Sequence, residues 1–477
     1  MYRGDVLWEA WLRCRENGGA PGVDDQTFDD ICDGGVLEWL EKLAEELRTK
    51  TYQPQPVRRR PPRSGGARIP KPDGKQRPLA GTDAERWSPT IKDRLVQTAA
   101  LIVLEPIFEA DLQDEQYAYR PERSALDAVQ AVRGLLNAGY TEVVDADLSG
   151  YFDSIPHAEL MQCVARRVSD AAMLHLLKMW LVAPVEEKDA KGHVQRTTRN
   201  KDEGRGSPQG SPISPLLANL YMRRFVLGWK TLGHQQRFRA RIVNYADDFV
   251  ICCRGKAEQA AAAMRDMMQR LKLTVNETKT KLCRVPDETF DFLGYTFGRG
   301  YSPQTGRAYL GTRPAKKKVR QICESISEQT ARRFELLEPE ELVGRLNRKL
   351  RGWANYFCLG SVSKAYRAVD RHARERLRQW LCRKHKLSGR GTARFPLRYD
   401  QADDVRVAQA GARGQGVLDM RFDGVLGIEH RRDTALGIQR VGFRQGGLGQ
   451  HGDARLARQP ERETETGGAA ADDQDVV

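Results

Sequence analysis

Three aspartates lie where carboxylates could hold metal ions. Asp147 ends the alternating segment EVVDADL, typical of a half-buried strand, and Asp247 and Asp248 lie about a hundred residues later within ARIVNYADDFVICC. This second segment indicates a hairpin, because two β-rich runs flank Ala-Asp-Asp. Adjacent aspartates in a turn commonly cap backbone N–H groups, but here a strand on each side holds the turn rigid. Carboxylates that converge from neighbouring strands suit Mg²⁺, and two such ions can activate a 3′-hydroxyl and stabilise a leaving pyrophosphate.

Helices and short extended segments must position these carboxylates. Apolar residues at helical spacing predict helices over 36–50 and 90–110, and a further helix begins at Pro156. KPDG at 71–74 is a tight-turn signal between two short extended segments. From 341 to 387 the pattern is helical and basic, with interspersed aromatic residues. The chain therefore combines helices with short strands.

Positive charge is concentrated in two segments. The chain of 477 residues has 78 Lys and Arg against 64 Asp and Glu, a net charge of +14. Residues 56–77 carry a net +7 and residues 341–390 a net +11, so the rest of the chain is slightly acidic. Charge runs are often plain solvated surfaces, but cations held on one face can neutralise phosphates. A polyanion is therefore the first partner to expect.

Cysteine usage and the lack of apolar segments bear on the compartment. The nine cysteines include no Cys-x-x-Cys pair, which argues against a zinc ribbon or a disulfide framework. The first residues carry charges throughout, and no stretch approaches the ~20 apolar residues of a membrane span. We therefore expect a reduced, cytoplasmic compartment and no membrane partner.

Five sequence blocks resemble those of reverse transcriptases, in matching order and spacing. They are VVDADLSGYFDSIPH, GSPQGSPISPLLANLYM, NYADDFVI, KLTVNETKTKL and FDFLGYTF. NGGAPGVDDQTFDDI near the start and LRGWANYFCLGSVSKAYRAVDRHARERLRQWL near the end resemble the N-terminal extension and domain X of group II intron-encoded proteins. The resemblance runs from about residue 14 to residue 396.

The resemblance implies an α+β fold of the right-hand polymerase type. Fingers and palm, with an antiparallel sheet and a catalytic hairpin, are followed by an α-helical thumb, or domain X. We expect an N-terminal extension over 1–60, fingers and palm over 61–310, and the thumb over 311–396. The tail, 397–477, has a biased composition without Lys, Cys, Trp, Tyr, Ser or Asn after residue 400. It is expected to be disordered.

The resemblance also assigns the catalytic residues. Asp147, Asp247 and Asp248 match the metal-binding aspartates of the palm. Asp147 and Asp247 would be the primary ligands of two Mg²⁺ ions, and Asp248 a supporting carboxylate at the primer end. The implied enzyme is an RNA-directed DNA polymerase, a nucleotidyltransferase.

Four further residues match positions that bind the incoming nucleotide. Two cations beside the KPDG turn would hold the triphosphate, an aromatic residue would exclude the 2′-hydroxyl, and a glutamine would line the pocket. These residues are Lys71, Arg77, Phe152 and Gln209. Phe152 is equally compatible with a core aromatic beside a strand, and SPQGSP with an ordinary loop.

The basic helices near the end match domain X, which in the family binds the primer–template and the intron RNA. Helices that combine Arg and Lys with Trp and Tyr can hold a nucleic acid backbone while the rings stack. The alternative is an amphipathic bundle with a solvated basic face. The residues assigned to RNA binding are Arg345, Arg348, Lys349, Arg351, Trp353, Tyr356, Arg371, Arg374 and Arg378.

Two features depart from the family pattern. RPLAGTDAERWSPTIKDRLVQ, which begins at Arg77, is about seven residues longer than the corresponding family block. The match ends near RFP at 394–396, and the tail after residue 400 has no Cys or Asn. We therefore expect no endonuclease domain, so that an existing DNA end would serve as primer.

The resemblance implies an RNA-directed DNA polymerase that is also an intron maturase. It would bind group II intron RNA, promote its splicing and copy it into DNA for retrohoming. Its partners would be the intron RNA, an RNA template with a DNA primer, target DNA and dNTPs, and in a bacterial cytoplasm it would join the nucleoid when bound to DNA. One alternative is a splicing-only maturase with an impaired polymerase, favoured by the longer finger segment and the unusual tail. Another is a bacterial reverse transcriptase of a different lineage, which the domain X match disfavours.

Overall fold

A computed structural model of the chain describes residues 1–60, 68–70, 76–78, 86–188, 193–207, 210–302, 304–387 and 389. Their contacts divide them into two compact units. The first comprises residues 1–315 with 359–361, and the second residues 316–358 with 362–387 and 389. The tail over 397–477, for which disorder was predicted, lies outside the described residues.

The first unit combines helices with short strands. Its helices are α1 (Gly4–Asn17), α2 (Phe28–Asp33), α3 (Val36–Arg48), α4 (Ile91–Glu109), α5 (Ala125–Asn137), α6 (Tyr151–Ser154), α7 (His157–Ala165), α8 (Ala171–Leu181), α9 (Arg199–Glu203), α10 (Ser214–Thr231), α11 (His234–Arg237) and α12 (Ala257–Arg270). Its strands are β1 (Val57–Arg60), β2 (Arg68–Pro70), β3 (Gln76–Pro78), β4 (Arg86–Ser88), β5 (Glu142–Asp147), β6 (Val185–Lys188), β7 (Val194–Thr197), β8 (Ala240–Tyr245), β9 (Asp248–Cys253), β10 (Lys281–Arg284), β11 (Phe290–Phe292), β12 (Tyr295–Tyr301) and β13 (Ala308–Pro314). This mixture confirms the predicted α+β class.

The predicted helices are found close to their expected bounds. α3 covers most of 36–50, and α4 covers most of 90–110. Thr90 caps α4, because its hydroxyl oxygen accepts a hydrogen bond from the backbone N–H of Asp93 at 3.0 Å. The helix expected at Pro156 is α7, for which Pro156 is the N-cap. β2 and β3 form an antiparallel pair on either side of the KPDG turn, which itself lies outside the described residues.

The sheet that carries the aspartates is antiparallel throughout, with strand order β10-β5-β9-β8. Residues Phe249–Cys253 of β9 are all buried, which fits their unbroken apolar sequence. Helices α5 and α12 pack on this strand. Phe225 of α10 lies 5.3 Å from Phe249, measured between ring centroids. The strand that begins at Asp248 is therefore fixed within the core.

Besides the β2–β3 pair, two other sheets belong to the described part of the first unit. One has the order β4-β1-β6-β7, in which β1 and β6 run parallel. The other is the antiparallel set β11-β12-β13. The block FDFLGYTF therefore forms β11 and the start of β12. In the chain it follows β10, the last strand of the sheet that carries the aspartates.

The second unit is helical, as the pattern over 341–387 predicts. It contains α13 (Lys316–Gln329), a short 3₁₀ turn (Arg332–Phe334), α14 (Pro339–Tyr356) and α15 (Ser363–Lys384). Its core includes Ile326, Leu346, Val369 and Trp380, all fully buried. Within the described ranges, no helix of either unit is long and apolar enough to cross a membrane.

Candidate active site

Strand pairing places two of the predicted aspartates directly opposite each other. In the register of β5 and β9, Asp147 pairs with Asp248, and Asp145 pairs with Val250. Because residues opposite each other in an antiparallel pair project from the same face, and residues two apart share a face, Asp145, Asp147 and Asp248 lie on one side of the sheet. The sequence prediction that carboxylates converge from neighbouring strands is confirmed.

The turn between β8 and β9 brings in the third aspartate. Tyr245 pairs with Asp248, so Ala246 and Asp247 form a two-residue turn. Ala246 has φ = +57°, in the left-handed region that non-glycine residues seldom occupy. Buried Asn244 supports this conformation by donating from Nδ2 to the carbonyl oxygen of Ala246 at 2.8 Å. The predicted hairpin is confirmed, with Asp248 as the first residue of a strand rather than part of the turn.

A lysine and an asparagine hold Asp147. Lys279 Nζ lies 2.5 Å and Asn276 Nδ2 3.2 Å from Asp147 Oδ2. The backbone N–H of Asn276 also donates to the carbonyl oxygen of Asp147 at 2.8 Å. Both residues belong to the block KLTVNETKTKL, to which the sequence analysis gave no individual roles. The only feature of the sequence that could have indicated their role is that the lysines and the asparagine of this block follow shortly after the hairpin.

The site is strongly acidic. Desolvation, followed by the negative charges of Asp247 and Asp147, raises the pKa of Asp248 to about 6. Desolvation and the charge of Asp248 raise the pKa of Asp145 to about 7, against the opposing effect of Lys281. Desolvation and the charge of Asp147 raise the pKa of Asp247 as well. Sequence reasoning missed Asp145, although its place two residues before Asp147 in a strand is a signal that could have found it.

The donor chemistry of this cluster fits Mg²⁺. Its carboxylates offer only oxygen ligands, and their mutual repulsion favours a cation between them. Among the described residues, no group of three or more His, Cys, Asp or Glu side chains is already arranged around a common ion position. Mg²⁺ in nucleotide-dependent enzymes is commonly held by one or two carboxylates plus waters and substrate phosphates. Asp147 and Asp247 could supply such a partial set.

Of the four residues predicted to bind the nucleotide, the structure describes the side chain of one. Phe152 is half-buried in α6, with its ring 5.7 Å from that of Tyr151 and 6.4 Å from that of Tyr119. Arg77 lies in β3 opposite Ile69 of β2. Lys71 and Gln209 lie outside the described residues.

The residues predicted to bind RNA lie in α14 and α15 of the second unit. Arg348, Arg351 and Arg371 are exposed. The rings of Trp353 and Tyr356 lie 4.9 and 4.8 Å from that of Phe357, so both pack within the unit.

The remaining residues of this set are half-buried. Arg345 pairs with Glu341 at 2.6 Å, and Lys349 donates to the hydroxyl of Ser325. Arg374 and Arg378 of α15 are half-buried as well. RNA binding by the nine residues stays a prediction.

Other cations of the same basic segment are used to build the unit. Arg376 Nη2 donates to the carbonyl oxygen of Ser327 at 3.0 Å, and Arg383 Nη2 donates to that of Thr330 at 2.6 Å. Lys384 Nζ donates to the carbonyl oxygen of Leu337 at 2.7 Å. These contacts satisfy backbone acceptors at and after the end of α13. The sequence pattern offers no signal that separates these cations from the exposed ones.

Two family models match successive parts of the chain. The family model for reverse transcriptase (RNA-dependent DNA polymerase) matches residues 69–297, which include all three aspartates. The model for the group II intron, maturase-specific domain matches residues 319–395. Protein YkfC of Escherichia coli K12 is 34% identical over 313 residues, 58% of this chain and 76% of that protein. The chain belongs to the group II intron-encoded family of reverse transcriptases and maturases.

Members of this family and solved polymerase structures extend the comparison. The group II intron-encoded protein LtrA of Lactococcus lactis is 26% identical over 447 residues, which cover 76% of this chain and 70% of LtrA. A chain of a partial Cas6-RT-Cas1–Cas2 complex matches with a TM-score of 0.33 and 21% identity, over 57% of this chain and 40% of that chain. Apo telomerase of Candida tropicalis matches with a TM-score of 0.36 and 12% identity, over 57% and 60%. The chain thus spans less than two thirds of each of these two solved chains.

Proposed function

We propose that this family member is an active RNA-directed DNA polymerase with Asp147, Asp247 and Asp248 as its catalytic carboxylates. The observation that carries the proposal is the register of β5 and β9, which sets Asp147 opposite Asp248 while the rigid turn holds Asp247 beside them. Chemistry at this site needs acids but no nucleophilic side chain, because the primer 3′-hydroxyl is the nucleophile.

Each residue of the site has a task in this reaction. Asp147 and Asp247 would hold Mg²⁺, which when bound supplies activation of the 3′-hydroxyl and charge neutralisation at the pyrophosphate. Lys279 and Asn276 orient Asp147, since both donate to the same oxygen, Oδ2. Asp248 supports the acidic cluster on the primer side.

The nucleotide is held by residues outside the acidic cluster. Phe152 blocks the space that a 2′-hydroxyl would occupy. Lys71 and Arg77 bind the triphosphate, and Gln209 lines the pocket. The β2–β3 pair on either side of the KPDG turn supports this arrangement, because it carries both flanks of the turn on one short hairpin.

The second unit would act as thumb and maturase domain. The exposed cations Arg348, Arg351 and Arg371 on α14 and α15 would bind phosphates of the intron RNA and of the primer–template. The match to the maturase-specific domain supports this role. By binding the intron RNA the protein would promote splicing, and by copying it at a target DNA end it would allow retrohoming. Both activities belong to a cytoplasmic protein that joins the nucleoid when bound to DNA.

The proposed division of the chain follows from these roles. We assign 1–60 to an N-terminal extension, 61–310 to fingers and palm, and 311–396 to the thumb. The separation of the described residues into units that divide between 315 and 316 supports a boundary at this point in the chain.

Primer extension on an RNA template with Mg²⁺ and dNTPs tests the polymerase. Purified wild-type protein should extend the primer, and Asp247→Ala/Asp248→Ala should reduce the rate at least a thousandfold, because the site loses two of its carboxylates. The matched control is Glu38→Ala/Glu41→Ala on the exposed face of α3, which should extend like the wild type. Extension that survives the aspartate substitutions would refute the site assignment.

Splicing of the cognate intron at low Mg²⁺, with and without protein, tests the maturase role separately. Faster splicing with protein is expected, for the wild type and for Asp247→Ala/Asp248→Ala alike, because splicing needs RNA binding rather than polymerisation. Accelerated splicing by a wild-type protein that cannot extend a primer would instead identify a splicing-only maturase. Equal splicing in both conditions would exclude the maturase role.

A further inference from the structure

Tyr119 is a strained and exposed aromatic residue next to the acidic cluster. Its backbone has φ = +55°, a left-handed conformation that a bulky L-residue rarely adopts. Its side chain is 50% exposed although the residue just before it, Ala118, is buried. Strained backbone of this kind persists only where surrounding structure enforces it, and it concentrates at functional sites.

The segment before Tyr119 is fixed to the catalytic hairpin. The backbone N–H of Tyr117 donates to the carbonyl oxygen of Asn244 at 3.0 Å, and that of Asn244 donates to Glu115 at 2.8 Å. Asn219 of α10 donates from Nδ2 to the carbonyl oxygen of Ala118 at 2.6 Å. Asn244 is the same residue that supports the turn at Ala246. The position of Tyr119 is therefore tied to that of Asp247.

The residue after Tyr119 anchors the segment from the other side. The side chain of Arg120 is buried and pairs with Glu109 at 2.6 Å. Its Nη1 donates to the carbonyl oxygens of Gln113 and Gln116 at 2.6 and 2.8 Å. Hydrogen bonds at Glu115, Tyr117, Ala118 and Arg120 thus fix the backbone on both sides of Tyr119, whose own ring is half exposed to solvent. A turn that only covers the surface does not need this many fixed contacts.

The ring of Tyr119 is directed to Phe152. The two rings meet edge to face, with centroids 6.4 Å apart and planes at 74°. The negative charge of Asp247 contributes, after desolvation, to a raised pKa of the Tyr119 hydroxyl. Tyr119 therefore combines a ring contact with Phe152 and an electrostatic interaction with Asp247, a predicted metal ligand.

We infer that Tyr119 is a positioning residue for sugar selection. Its ring holds the ring of Phe152 in the orientation in which Phe152 excludes the 2′-hydroxyl of ribonucleotides. The inference rests on the proposed polymerase function. Phe152 lies on a short helix and is only half-buried, with the ring of Tyr151 at 5.7 Å as one neighbour. The ring of Tyr119, which meets it edge to face, limits its rotation further. A Phe152 ring that cannot rotate excludes the 2′-hydroxyl more strictly than one that can.

Selectivity for dNTP over rNTP, measured as the ratio of the two kcat/KM values, tests the inference. Tyr119→Asn removes the ring, and asparagine tolerates the left-handed conformation, so the variant should keep the fold. We expect Tyr119→Asn to lower the dNTP/rNTP ratio at least tenfold, mainly through a lower KM for rNTP. Tyr119→Phe should keep the ratio, because it keeps the ring that meets that of Phe152. Tyr2→Ala, at an equally exposed tyrosine in the N-terminal segment, should not change it.

The double variant Tyr119→Asn/Phe152→Ala distinguishes positioning from an independent effect. If Tyr119 acts through Phe152, the double variant should be no less selective than Phe152→Ala alone. An unchanged ratio in Tyr119→Asn, or fully additive losses in the double variant, would overturn the inference while leaving the polymerase assignment intact. Wild-type protein that extends with neither nucleotide would overturn both.

Discussion

Asp248 faces Asp147 on the neighbouring strand and adjoins Asp247 in the chain. Desolvation and these two charges raise its pKa to about 6 from the ordinary value of 3.8. The folded protein therefore binds a proton at Asp248 more tightly than the unfolded chain does. The contribution of Asp248 to the free energy of unfolding of the metal-free protein is therefore most favourable below the unfolded pKa of about 3.8 and falls as the pH rises through about 6. Carboxylates that suit Mg²⁺ thus destabilise the metal-free fold at neutral pH.

Asp248→Asn should stabilise the metal-free protein at pH 8. Asparagine keeps the shape of the side chain and removes the charge that its neighbours repel. Because Asp248 is exposed, we expect the free energy of unfolding to rise by only about 1 kcal/mol, which corresponds to about 2 °C in Tm. Thermal unfolding in EDTA between pH 4.5 and 8 should show this gain shrinking as the pH is lowered. Asp266→Asn, at an exposed ion pair on α12, is the control and should show no such trend. A gain that is independent of pH would contradict the electrostatic explanation.

Single residues differ in how far sequence reasoning could find them. The three aspartates were found because their neighbours in the chain form recognisable strands and a turn. Lys279 and Tyr119 were not, because Lys279 bonds to Asp147 and the segment of Tyr119 is fixed by Asn244, each more than a hundred positions away in the chain. Such contacts depend on strand register and on loop anchoring, and local periodicity does not encode either.

At the scale of elements, a buried hydrogen-bond network joins the segment after α3 to helices α4 and α8. Tyr52 donates from its hydroxyl to Asp93 Oδ1 at 2.6 Å, and Trp180 Nε1 donates to the Tyr52 hydroxyl at 3.1 Å. The other oxygen of Asp93 accepts from the Thr90 hydroxyl at 2.8 Å and from the backbone N–H of Gln55 at 3.1 Å. Burial raises the pKa of Asp93 despite these donors.

Tyr52→Phe should weaken this junction without changing the chemistry of the active site. The substitution keeps the ring and removes one donor to a buried carboxyl group and one acceptor for Trp180, which should cost about 2 kcal/mol and lower Tm by about 4 °C. Thermal unfolding measures the loss, and kcat of primer extension well below Tm should be unchanged. Tyr2→Phe, at an exposed tyrosine, should leave Tm unaltered. A Tm unaffected by Tyr52→Phe would mean that water replaces the hydroxyl at little cost.

Across the whole molecule, the positive charge serves two purposes. In the second unit, Arg376 and Arg383 hydrogen-bond backbone carbonyl oxygens at the end of α13, and Lys384 that of Leu337 just before α14. Arg348 and Arg351 remain exposed on α14. The net +11 of residues 341–390 therefore overstates the charge available for phosphates, because part of it stabilises the fold.

The salt dependence of RNA binding should report this difference. Arg348→Gln/Arg351→Gln/Arg371→Gln should weaken intron RNA binding and reduce the slope of log K against log salt by about 2, since each phosphate contact contributes about 0.7. Filter binding or fluorescence anisotropy over a range of KCl concentrations measures the slope.

A matched triple variant in the first unit, Arg13→Gln/Arg48→Gln/Arg270→Gln, is the control for loss of net charge alone. Each of these arginines is exposed and paired with a nearby acid on its own helix. We expect a slope close to that of the wild type. Equal changes in the two triple variants would contradict a specific phosphate-binding role for α14 and α15.

The sequence by itself determined the family, the α+β class, several helices in both units and the three aspartates that we propose as catalytic. Local patterns are sufficient for these features: apolar spacing specifies α3 and α4, the unbroken run after Asp248 specifies a buried strand, and the ordered blocks specify the reverse transcriptase family. Each of these signals lies within a short stretch of chain.

Only the tertiary structure decided how these parts meet. The register of β5 and β9 sets Asp147 opposite Asp248 and adds Asp145 to their face, because a shift of one residue would turn the side chains to the other face. Packing around α13 determines which arginines of the basic segment are used internally. Anchoring at Asn244 carries Tyr119 to the acidic cluster. These outcomes depend on contacts between distant segments, whose free energies are set by the completed fold.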